Sequence, residues 1–123
     1  MLLGPEPSLL NNLAWTLGEL QHEDALRVAK QALQAAPGRA DIADTAGWIY
    51  FRAGDADTAR ELLEQAVETD PGNLDYQMHL AEIVASLGDT DVARAILAQA
   101  ASGASEEHRA EIALLQERIA GYN

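Results

Sequence analysis

Three histidines, His22, His79 and His108, and two adjacent acid pairs, Glu23-Asp24 and Glu106-Glu107, are where metal or acid–base chemistry would first be sought. Their spacing does not support it. No two histidines stand four residues apart, as two ligands on one helical turn would. His22 falls in a turn and His108 in the first turn of a helix, both expected on the surface. Neighbouring acids on a helix point in different directions, so each acid pair reads as solvated charge. No glycine-rich phosphate loop precedes a helix, and no G-x-S-x-G elbow occurs. Without cysteine there is no thiolate ligand, thiol nucleophile or disulfide. Nothing resembles a nucleophile, base and orienting group acting together, so the chain reads as non-catalytic, with no cofactor and no metal.

Aromatic side chains are the better candidates for an interaction. The only tryptophans are Trp15 and Trp48, and the second lies in "AGWIYFRAGDADTAR", Ala46 to Arg60, with Tyr50 and Phe51 close by. A core could use these rings, or a partner could. Which it is depends on the elements that carry them.

The 123 residues suffice for one domain with a modest core. Hydrophobic residues make up 48%, rich in Ala and Leu, which favours helices. The net charge of -12, from 20 acids and 8 bases, opposes binding to nucleic acid or an anionic bilayer, and would attract a basic partner. No apolar run approaches the roughly 18 residues of a membrane span, so no membrane insertion is expected. Met1 to Gly4 read as too short, and lack the positive start, for a secretion leader.

Self-similarity organises the rest. "EDALRVAKQALQAAPG" from Glu23, "DTARELLEQAVETDPG" from Asp57 and "DVARAILAQAASGAS" from Asp91 align. Ala25, Ala59 and Ala93 are 34 residues apart, as are Ala32, Ala66 and Ala100, and Pro37 and Pro71. Upstream, Leu13-Ala14, Ala46-Gly47 and Leu80-Ala81 correspond, with one residue missing between Gly18 and Asp24. Each unit reads as two helices, A and B. In the second unit, helix A spans about Arg39 to Ala53 and ends at Gly54-Asp55, where glycine can take the left-handed conformation. Helix B spans about Ala56 to Asp70 and stops before Pro71. Ala59 and Gly47 sit where the two helices cross. A Leu at either position is expected to overpack that contact, at a cost of about 1–3 kcal/mol.

Three such units in phase resemble tetratricopeptide repeats (TPR), which carry a small-residue pair in helix A, Ala in helix B and a closing Pro. The likeness covers about Ser8 to Gly103. It departs from the pattern in the shortened first turn and in the third unit, which ends "ASGAS" without Pro. "NNLAW", "DTAGWIYFRAGD" and "MHLAE" are also similar to repeats of bacterial TPR proteins associated with exosortase and exopolysaccharide secretion. The resemblance implies an all-α, right-handed solenoid of seven helices: a lead-in 1–7, units 8–38, 39–72 and 73–104, and a capping helix 105–121. In that last helix Ser105 is the expected N-cap, Ile112, Leu115 and Ile119 form the apolar stripe, Leu114 widens it and Gly121 ends it. A soluble protein of a bacterial cytoplasm or periplasm is the expected setting.

The resemblance also implies a concave face lined by the A helices. In the second A helix the inward stripe reads as Ala43, Ala46, Gly47 and Tyr50. Helical rotation then turns Asp41, Asp44, Thr45, Trp48 and Arg52 to the groove, with Phe51 at its edge. The matching face of the first A helix is Ser8, Asn11, Asn12, Trp15 and Glu19, and that of the third is Asp75, Met78, His79, Glu82 and Ser86. Trp15 and Trp48 hold equivalent places and are expected side by side. Five acids, Glu19, Asp41, Asp44, Asp75 and Glu82, stand against one base, Arg52, so an aromatic floor with an acidic rim suits a basic, partly apolar peptide or helix. The family's clamp for C-terminal carboxylates needs Lys and Arg on this face, and those bases are missing. Arg27, Lys30, Arg60 and Arg94 fall on B helices and read as solvated. Leu9 and Leu10 lack an upstream neighbour. The chain therefore also reads as a segment of a longer scaffold, able to self-associate through its N-terminal end, with a groove that contacts its own chain or another copy.

Overall fold

A computed structural model describes residues 6–121, which form seven α-helices and no strand among the described residues. They are α1 (Pro7–Glu19), α2 (Ala25–Ala35), α3 (Ala40–Arg52), α4 (Ala56–Thr69), α5 (Leu74–Ser86), α6 (Thr90–Ser102) and α7 (Glu106–Ala120). Residues 1–5 of the expected lead-in lie outside the described residues, and Pro7 already opens α1, where its missing N–H and fixed φ suit the first helical position. Local chemistry sets the other ends. Asp55, Asn73 and Ser105 cap α4, α5 and α7 by accepting from the backbone N–H of Thr58, Tyr76 and His108. Ala36 and Asp70, each before a proline, leave the helical region and end α2 and α4.

Odd-numbered helices pack on one another, α1 on α3, α3 on α5 and α5 on α7, whereas the backbones of α2 and α4, and of α4 and α6, stay apart among the described residues. The odd helices therefore line the inside of a curved stack, and the even helices splay on its outside. This is the all-α solenoid that the repeat predicts.

Helix α3 is buried on two sides. Ile42, Ala46 and Ile49 join Leu10, Ala14, Val28, Ala29 and Ala32 in a core under the first unit. Ala43 joins Ala59, Leu63 and Ala66 in a second core that runs through α5 and α6 to Ile112, Leu115 and Ile119 of α7. The single stripe Ala43, Ala46, Gly47 and Tyr50 thus omits Ile42 and Ile49, because a helix between two neighbours needs two apolar faces. Gly47 is needed where α3 crosses α4: a Cβ there would collide with the Leu63 side chain and crowd the Ala59 carbonyl. Leu10 is buried rather than stranded, while Leu9 is 63% exposed. Leu114, at 64% exposure, faces away from the apolar stripe of α7 instead of widening it. Arg60 is not simply solvated: it donates to Asp89 at 2.8 Å and ties α4 to the α5–α6 turn.

The turn after helix A has one form in all three units. The N–H of Asp55 bonds the Tyr50 carbonyl, that of Asp89 the Val84 carbonyl, and that of His22 the Leu17 carbonyl. Gly54 and Gly88 occupy the left-handed residue at φ 96°. In the first unit Gln21 takes that place at φ 54°. The missing residue falls after it. Helix α2 begins at Ala25, the equivalent of Ala59, and so lacks the opening turn that Ala56–Thr58 give α4.

Candidate functional site

Two cavities open on either side of Trp15. The first, about 440 Å³, lies between the ends of α1 and α3 and the shortened turn of the first unit. Its walls include Trp15, Gly18, Glu19, His22, Leu26, Trp48, Ile49 and Arg52. Loss of the first turn of α2 leaves this space beside the shortened loop, where α4 in the next unit carries helix. The second, about 390 Å³, is lined by Asn11, Trp15, Asp41, Asp44, Thr45, Asp75, Tyr76 and His79 from α1, α3 and α5.

Ten of the sixteen residues expected on the groove face line one cavity or the other. Trp15 lines both and is 39% exposed. Glu19, Trp48 and Arg52 line the first; Asn11, Asp41, Asp44, Thr45, Asp75 and His79 line the second. Of the rest, Asn12 is exposed and lines neither cavity. Phe51 packs against the second core and on Trp48, with ring centroids 5.3 Å apart. Glu82 turns to α7, where Arg118 donates to it at 2.6 Å.

Trp15 and Trp48 share the first cavity, but Trp48 is half-buried and its ring partners are Phe51 and His79. The imidazole lies nearly flat on the indole, 4.3 Å between centroids at 23°. Its Nδ1 stands 2.7 Å from Asp44 Oδ1. Asp44 is only 8% exposed and Thr45 is also buried, because α1 and α5 close over the middle of α3. Thr45 satisfies its hydroxyl by donating to the Asp41 carbonyl at 3.1 Å.

The acid rim is less bare than the sequence implies. Arg39 donates from Nε and a terminal nitrogen to both oxygens of Asp41, at 3.1 and 2.6 Å, and also to Ser8. These bonds hold the Asp41 carboxyl below the usual range against the opposing effect of burial, and they raise the Arg39 guanidinium. Arg52 stands 3.6 Å from Glu19. Asp75 alone of the five acids has no partner among the described residues. Burial pushes the Tyr76 phenol up, and the charges of Asp44, Asp41, Asp70 and Asp75 push it further. Asn11 Oδ1 is buried without a hydrogen-bond donor.

Sequence reasoning missed Tyr76, Arg39 and Arg118. The repeat equates Tyr76 with the buried Ile42, so the register hides it. The Arg39–Asp41 pair is two residues apart across a helix start, a spacing that helical periodicity does not flag. The Glu82–Arg118 pair joins the third unit to the capping helix, outside the repeat.

The sequence profile of the tetratricopeptide repeat family matches residues 50–119, more than half of the sequence. The chain belongs to the tetratricopeptide repeat family. Solved structures share the fold. The Yersinia enterocolitica type III secretion chaperone SycD, in complex with a peptide of the translocator YopD, superposes with a TM-score of 0.77 at 19% identity, over 92% of this chain and 91% of that one. PcrH, in complex with the chaperone binding region of PopB, gives 0.73 at 20% identity, over 99% and 100%. A thermophilic TPR protein in Thermus thermophilus gives 0.70 at 27% identity, over 89% and 61%. No curated protein sequence matches the chain.

Proposed function

We propose that this chain is a non-catalytic interaction module whose inner face holds a peptide or helix of a partner protein. The observation that carries the reading is the pair of cavities on either side of Trp15. One has an apolar wall formed by Trp48, Ile49 and Leu26 and the other an acidic one. Such a surface favours a segment that is partly apolar and basic. SycD and PcrH, which share the fold, are each named in complex with a segment of a partner protein, which supports peptide binding as the use of this chain.

Titration with short amphipathic Arg-containing peptides should shift the fluorescence of the two tryptophans, and added salt should weaken the effect. A salt-insensitive shift would remove the basic character and keep the groove. A second reading, that the chain is a scaffold segment that associates with its own kind, is favoured by the exposed Leu9, Leu13 and Leu20 at the front of the stack. Self-association on sedimentation, with no response to any peptide, would select it.

A further inference from the structure

We propose that the cavity between Trp15 and Tyr76 is a guanidinium site, filled by an arginine side chain of the bound segment. The inference rests on the groove reading and names what one of its two cavities recognises. The walls offer acceptors and flat rings. Asp75 is exposed and unpaired among the described residues. Asp44 gives one oxygen to His79 and keeps the other. Asn11 Oδ1 is buried and accepts nothing. A buried acceptor without a donor costs free energy until a ligand supplies one. An anion would meet three carboxylates here, those of Asp41, Asp44 and Asp75. A metal ion has no nest of ligands, since no group of three His, Asp or Glu side chains converges among the described residues.

Guanidinium fits better than ammonium for two reasons. It carries five donors in one plane, enough for carboxylate and amide acceptors at once, and its face stacks on aromatic rings. It is also less strongly hydrated, so it loses less on entering a partly dry cavity. The resident cation does not compete. Arg39 is held by Asp41 and Ser8 and does not line the cavity.

The test uses capped single residues, so that no partner need be known. N-acetyl-arginine N-methylamide, its lysine and norleucine counterparts and the leucine amide are titrated into the labelled protein and followed by amide NMR. Asp75 and Tyr76 report the second cavity; Gly18 and Ala53 report the first. The arginine probe should shift Asp75 and Tyr76 saturably, with lysine weaker and norleucine inactive there. Asp75→Asn should weaken the arginine probe about fivefold, as expected for loss of one partly exposed charge-assisted contact. Asn11→Ala should weaken it further, with the remaining spectrum unchanged. Equal shifts from norleucine, silence at Asp75 and Tyr76, or an unaltered affinity in Asp75→Asn would overturn the site. If leucine amide still moved Gly18 and Ala53, the groove would survive that failure. If it moved nothing either, both readings would fall together.

Discussion

His79 and Asp44 join α5 to α3 through one short contact, Nδ1 to Oδ1 at 2.7 Å, with the imidazole lying flat on Trp48. A carboxylate only accepts, so Nδ1 carries the proton and donates. Asp44 is buried, and removing its donor leaves that charge without compensation. His79→Ala should therefore cost about 1–3 kcal/mol. Asp44→Asn should cost less, because an amide can still accept. In a double-mutant cycle of Asp44→Ala and His79→Ala, urea unfolding should give a coupling of about 1 kcal/mol. Simple additivity would mean that the contact adds no stability.

Gln21 and Gly54 occupy the same place in successive turns, and only one of them is built for it. A side chain in the left-handed region costs about 1–2 kcal/mol, which glycine avoids. Gln21→Gly should therefore raise the unfolding free energy by about 0.5–1 kcal/mol after the entropy of the added glycine is counted. Gly54→Ala should lower it by about 1 kcal/mol or more, since φ there is 96°. Thermal melts of both variants check the pair. A loss in Gln21→Gly would mean that the glutamine side chain holds the turn.

These turns also show what the sequence could and could not disclose. The positions Ala25, Ala59 and Ala93 establish the repeat, and with it the first six helices, while the seventh is legible from its Ser105 cap and apolar stripe. The repeat register cannot show pairs that break it. Arg39 pairs with Asp41 inside one unit, across a helix start, while Arg60 with Asp89 and Glu82 with Arg118 join successive parts of the stack, and each covers one acid of a surface that stays acidic by composition. The first cavity follows from a single missing residue. That gap is visible in the alignment, but its effect appears only once α2 is seen to start a turn late. Helical rotation alone assigns Asp44 and Thr45 to an open face, yet α1 and α5 crowd over the middle of α3 and bury both.

The Arg39–Asp41 pair gives a pH dependence whose sign is fixed. The bonds from Arg39 lower the folded pKa of Asp41, so the pair contributes stability above the unfolded value and loses it as pH falls through the lower folded one. Urea unfolding of Asp41→Asn and the parent chain should differ near neutral pH and converge once the medium is acid enough to protonate Asp41 in the fold. The difference should be small, since both side chains are well exposed, and it should shrink with salt. Arg39→Gln should move the loss to higher pH. A gap between Asp41→Asn and the parent chain that persisted in strong acid would assign it to packing instead.

Trp15 and Trp48 fill equivalent places in the repeat and should respond oppositely to truncation. Trp15 is 39% exposed and lines both cavities, so Trp15→Ala should cost about 1 kcal/mol of stability, less than Trp48→Ala, and most of the peptide response. Trp48 is half-buried, packs against the second core and supports both Phe51 and His79. Trp48→Ala should therefore cost about 2–4 kcal/mol, approaching a truncated core aromatic, and loosen the Asp44 contact as well. Its loss of binding would then reflect a disturbed wall. Trp48→Phe separates the two effects, because it keeps a ring for His79 to lie on. Stability should largely return in that variant, and binding should follow it. Peptide titrations and urea unfolding of the three variants read both quantities. Equal loss of stability in Trp15→Ala and Trp48→Ala would mean that Trp15, too, is held by the core, and the two cavities would then lack the free ring that divides them.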